Sequence, residues 1–91
     1  MIIKLIFEDD TLDKQLSEYL QDKDVTYIPY NLKYGRDRRK AFKIKGYCSA
    51  KQDPFCVIYD DNEAIQKAFY SEVNECTFEN IKEYLESCNL K

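Results

Sequence analysis

Sulfur is where this sequence could do chemistry. It holds four cysteines, Cys48, Cys56, Cys76 and Cys88, and no histidine. Without histidine, no Ser-His or Cys-His pair can activate a nucleophile. The cysteine spacings match no zinc pattern, so no metal site is expected. Cys48 stands close to Lys45 and Lys51, cations that would lower a thiol pKa. Cys76 stands beside Thr77, immediately ahead of a helical pattern. These two are the candidate reactive thiols, against the plainer readings of an incidental loop cysteine and a neighbour of a helix cap. Cys56 and Cys88 fall on apolar patterns and read as core packing.

Charge is the second resource. Glu8, Asp9, Asp10 and Asp13 gather in six residues. Carboxylates so placed could serve acid-base catalysis or hold a cation, but capping a helix start explains Asp10 and Asp13 with fewer assumptions. The basic residues gather elsewhere. Between residues 33 and 45 stand Lys33, Arg36, Arg38, Arg39, Lys40, Lys43 and Lys45 against Asp37 alone, a net +6 in a chain of net −3. Arg36, Arg38, Arg39, Lys40 and Lys43 therefore form a candidate basic contact surface, suited to an acidic protein or a phosphate-bearing ligand. Tyr34 and Tyr47 flank it and could stack on a base. The plainer alternative is a solvated helix face.

The elements that must position these groups follow from periodicity. Ninety-one residues make one domain spanning 1–91, with 44% hydrophobic and 34% charged residues and two each of Gly and Pro. Ile2–Phe7 is nearly continuous in apolar residues, as expected of a strand covered on both faces. Leu12, Leu16, Tyr19 and Leu20 recur at helical spacing behind Asp10 or Thr11 as cap. Val25 to Tyr30 reads as a strand whose Pro29 places it at a sheet edge. Arg36 to Lys45 reads as a helix with Ala41, Phe42 and Ile44 inward and Gly46 as its stop. The loop from Tyr47 to Asp53 leads to Pro54, which opens a strand through Tyr59. A turn at Asp60–Glu63 precedes a strand from Ala64 to Tyr70. Thr77 caps a last helix with Phe78, Ile81, Tyr84, Leu85 and Cys88 as its buried stripe.

The fold class is α/β: β-α-β-α-β-β-α, with a four-stranded mixed sheet. A right-handed crossover makes the first two strands parallel, and the hairpin is antiparallel. Sheet order 2-1-3-4 follows, with helices on both faces. Met1–Phe7 is too short for a signal-peptide core and no window suits a membrane span, so the expected compartment is the cytoplasm, with the cysteines as free thiols and no membrane partner.

This element order, with the strand Ile2–Phe7, the edge strand, Gly46, the strand-opening Pro54, the hairpin and the capped last helix, resembles the thioredoxin/glutaredoxin family over essentially the whole chain. The resemblance implies a cis Asp53-Pro54 bond. It also implies a ligand or peptide groove between Asp9, Asp10, Thr11 and Leu12 at the first helix start, Asp53 and Pro54, and the turn at Cys76 and Thr77. Glutathione is the ligand it brings with it. The chain departs from the family at the decisive place. Where relatives carry Cys-x-x-Cys, it reads Glu8-Asp9-Asp10-Thr11-Leu12-Asp13, and carboxylates cannot perform thiol-disulfide exchange. Asp53 also stands where the family commonly has Thr, Val or Ile. The expectation is a redox-inactive domain of this fold acting as a protein-binding or assembly module, with no cofactor. Two rivals stand beside it: a thiol-disulfide oxidoreductase or glutathione-binding protein working through one cysteine, and a nucleic-acid accessory protein using the basic helix.

Overall fold

In the computed structural model of the chain, residues 1–48, 54–70 and 74–88 are described, with residues 45–48 described as backbone alone. The elements are β1 (Ile2–Phe7), α1 (Thr11–Leu20), β2 (Thr26–Asn31), α2 (Gly35–Cys48), β3 (Phe55–Tyr59), β4 (Ile65–Phe69) and α3 (Phe78–Ser87). They build a four-stranded mixed sheet in the order β2-β1-β3-β4. β1 runs parallel to β2 with Leu5 opposite Pro29, and antiparallel to β3 with Leu5 opposite Cys56. β3 runs antiparallel to β4, with a register shift between Ile58 and Tyr59.

Each strand's position follows from its composition. β1 lies between two neighbours and is covered on both faces, which is why Ile3, Leu5, Ile6 and Phe7 are all buried. β2 lies at an edge, where the N–H that Pro29 lacks is not needed by a further strand. The hairpin turn is held by Asp60, whose carboxylate accepts from Asn62 N–H at 2.8 Å and Ala64 N–H at 2.9 Å. Glu63 takes a left-handed φ of 63° there.

Alternation along the strands divides the core in two. On one face, Ile3, Leu5 and Phe7 of β1 join Cys56 and Ile58 of β3 and Phe69 of β4. There they meet Leu12, Leu16 and Leu20 of α1 and Ile81 and Leu85 of α3. On the other face, Ile6, Phe55, Val57 and Tyr30 meet Ala41 and Ile44 of α2. Helices thus cover both faces, two on one side and one on the other.

The structure corrects three local readings. α2 begins at Gly35 and continues through Gly46 to Cys48, so Cys48 ends a helix instead of lying in a loop. A glycine costs a helix interior about 1 kcal/mol, too little to end it when the inner face is anchored. Phe42 is 70% exposed, not inward. Successive helical residues are turned by roughly 100°, so Ala41 and Ile44 share the inner side and residue 42 points away. Cys88 is exposed, because it caps α3 beyond the helix's last buried turn. Asp10 takes the cap position of α1, one of the two residues expected there, though its side chain makes no capping bond. No helix among the described residues is long and apolar enough to cross a membrane.

Candidate functional site

Three separate pieces of chain converge at one end of the sheet, on the side covered by α1 and α3. The first is the start of α1. Asp10 occupies the cap position but makes no side-chain capping bond. Asp9 supplies the contact instead: its carboxylate accepts from Thr11 N–H at 2.9 Å and from the Thr11 hydroxyl at 2.7 Å. A carboxylate can reach the amide two residues onward only when the intervening residue turns the chain, which Asp10 does. These bonds hold the Asp9 carboxyl below the usual carboxylate range. Asp10 turns outward to Lys14, with an Nζ–Oδ2 separation of 3.5 Å.

The second piece is Pro54, exposed at the entry to β3. The third is the stretch before α3, brought back along the sheet by a bridge between Tyr70 and Asn74. Thr77 caps α3 as its sequence position predicts. Its hydroxyl accepts from Asn80 N–H at 3.2 Å, and Asn80 Nδ2 donates to the Glu75 carbonyl at 3.0 Å. Phe78 fixes the mouth of the site by meeting the Tyr19 ring edge-on, with centroids 5.7 Å apart.

Between these pieces lies a groove of about 440 Å³. Leu12, Pro54, Cys76 and Phe78 supply apolar lining, and Thr11 and Thr77 supply hydroxyls. Glu8, Asp9 and Glu79 make its rim acidic, and Gln15 adds an amide one helical turn beyond Thr11. Of the residues expected here, Asp9, Thr11, Leu12, Pro54, Cys76 and Thr77 are brought together. Asp10 does not line the groove. Asp53, and with it the expected cis bond to Pro54, lies outside the described residues. Gln15, Phe78 and Glu79 were not anticipated as site residues. The helix repeat contained a signal for Gln15, four positions after Thr11.

The thiols near this groove are neutral. Burial pushes the Cys76 thiol up to about 12. Burial pushes Cys56, in β3 beneath it, well up, and the neighbouring Cys76 adds to the effect. A thiol with a pKa near 12 has about one part in 10⁵ as thiolate at neutral pH, and the thiolate is the nucleophile. Cys56, Cys76 and Cys88 are all free. The Cys48 side chain and Lys51 lie outside the described residues. No group of three or more His, Cys, Asp or Glu that could hold a metal ion occurs among the described residues.

The basic surface lies across the sheet from the groove. Arg36, Arg38, Arg39, Lys40 and Lys43 are all exposed on α2. Arg38 is tethered: its Nε and Nη2 both donate to the Leu32 carbonyl, at 3.1 and 3.0 Å. Asp37, the one acidic residue of that stretch, accepts from Asn31 N–H at 3.1 Å. Its carboxylate faces the β2 end and leaves the outer helix face to the cations.

No family model, curated protein or solved structure matches this chain.

Proposed function

We propose that the groove binds an extended protein segment, in a redox-inactive domain of the thioredoxin/glutaredoxin type that serves as a binding or assembly module. The carrying observation is the convergence of Thr11–Leu12, Pro54 and Cys76–Thr77 around a concave, partly apolar space that has a carboxylate at its helix start. A groove of this kind offers apolar contact along its floor and polar groups at its edge, the usual makeup of a recognition site. Electron transfer by thiol exchange needs a thiolate, and burial keeps Cys76 protonated.

The rim narrows the ligand class. Glu8, Asp9 and Glu79 disfavour a ligand carrying carboxylates of its own, glutathione included, because like charges across a contact cost binding energy. A segment with apolar residues and a lysine or arginine fits the lining better.

Peptides selected from a displayed random library provide the test, followed by amide-shift mapping on the labelled protein. The expected outcome is enrichment of basic, apolar sequences that move the amides of Thr11, Leu12, Thr77 and Phe78, with no catalysed reduction of insulin. Catalytic insulin reduction, or saturable binding of glutathione at the same amides, would transfer the site to the single-cysteine rival.

A further inference from the structure

We propose that the outer face of α2, where the exposed Phe42 borders the cations, binds single-stranded nucleic acid. The observation is a coincidence of two surface features that the fold could have kept apart. Tyr34 is 64% exposed and Phe42 70% exposed, and among the described residues the only other exposed large hydrophobic is Ile65, at 37%. Both open rings therefore fall inside the one strongly basic stretch of an otherwise acidic chain.

Helix geometry makes the coincidence tighter. With roughly 100° between successive residues, Arg38 and Arg39 fall within about 60° of Phe42, and Arg36 and Lys43 within about 120°. Ala41 and Ile44 lie roughly opposite Arg39 and are buried against the sheet. The ring thus stands beside the cationic face, with Arg38 on one side of it and Arg39, Lys43 and Arg36 on the other. Arg38 cannot swing freely across it, because its guanidinium is fixed to the Leu32 carbonyl.

Two exposed rings beside a row of cations offer flat apolar faces that a ligand can cover. A strand of nucleotides suits both features with one repeating unit, since each nucleotide brings a phosphate for the cations and an unpaired base face for a ring. A duplex would offer phosphates while its base faces stay stacked. An acidic protein segment would satisfy the cations and have no inherent use for two flat rings. The remainder of the chain carries a net −9. Its field repels phosphates from the groove side and confines a polyanion to α2. This surface is separate from the groove and stands whether or not the groove binds peptide.

Fluorescence anisotropy with a labelled oligothymidylate of about 12 nucleotides tests it, a length within the range that single-strand binders cover. Contacts from Arg36, Arg39, Lys40 and Lys43 imply affinity falling about 50-fold between roughly 50 and 200 mM salt, at a slope near −0.7 per contact. Phe42→Ala should weaken binding about tenfold and leave the salt slope intact, as expected for lost stacking. Arg39→Glu combined with Lys43→Glu should weaken binding and flatten the slope. Thermal melting followed by circular dichroism verifies that each variant is folded. Absence of saturable binding at the lower salt would overturn the proposal. So would equal affinity for the matching duplex, an unchanged Phe42→Ala, or polyglutamate competing as well as the oligonucleotide, which would mark the face as a site for acidic protein.

Discussion

The groove and the outer face of α2 occupy opposite sides of one sheet and are built on opposite principles. The groove is concave, acidic at its rim and assembled from three chain segments that meet only after folding. The α2 face is convex, basic and supplied by one continuous helix with Tyr34 at its entry. The groove's shape depends on the packing of α1 against α3, whose side of the sheet holds eleven of the described buried core residues against six on the α2 side. The face of α2 needs only that the helix form and that Ala41 and Ile44 hold it down. Disturbing the core should therefore distort the groove, while the helix face should be altered mainly by changing its own residues.

Substitutions can break or sharpen this contrast. The largest effect is expected from Phe55→Ala, which empties a fully buried site under α2. A loss of about 3–5 kcal/mol in urea denaturation is expected, the usual range for a phenylalanine deleted from a core. Leu12→Ala removes a buried side chain that also lines the groove. It should cost about 2–3 kcal/mol, the lower part of the range for leucine because the site opens to solvent. It should also abolish peptide binding and leave oligonucleotide binding intact, and simultaneous loss of both would show that the two regions are not independent. Thr77→Ala removes the α3 cap and should cost about 1 kcal/mol, with Thr77→Ser restoring most of it.

Confined to alkaline pH is the effect of Cys76 on stability. Its folded-state pKa of about 12 lies above the ordinary thiol value near 9, so the unfolded chain releases this proton first as pH rises. Stability contributed by the neutral thiol is full below about pH 9 and declines through pH 12. Cys76→Ala should flatten that part of the pH-stability curve. At neutral pH, limiting iodoacetamide should label Cys88, which is exposed, before Cys76. Faster labelling of Cys76 would contradict its burial and revive the enzymatic rival. The smallest change is expected from Phe42→Ala, which should move stability by less than about 0.5 kcal/mol, as at exposed positions generally. Two phenylalanines associated with the same sheet face would then differ several-fold in stability effect, with the exposed one acting in binding alone.

Legibility in the sequence followed locality. The apolar run of β1, the edge proline of β2 and the Thr77 cap each announce themselves within a few residues, because the physics that fixes them operates over one turn or one strand. The order β2-β1-β3-β4 was also within reach, since crossover handedness and an edge proline leave few alternatives. Errors arose where two local rules competed. Gly46 reads as a stop, yet α2 runs past it. Asp10 sits at the cap position, yet Asp9 makes the bonds. Phe42 reads as core by its hydrophobicity, but the space beneath α2 is occupied by Ala41, Ile44 and Phe55. Cys88 continues the apolar spacing of α3 one step beyond where the sheet can cover it.

Residue order alone determined the element types, the charge separation between residues 33–45 and the remainder, and the lack of sulfur at the start of α1. All three are written in composition and short-range spacing. Tertiary packing decided which side chains face one another across the groove, that Cys76 is held protonated beside Thr77, and that an aromatic ring stands uncovered among arginines. Those properties depend on what fills the space around each group, and the neighbours that fill it come from distant parts of the chain.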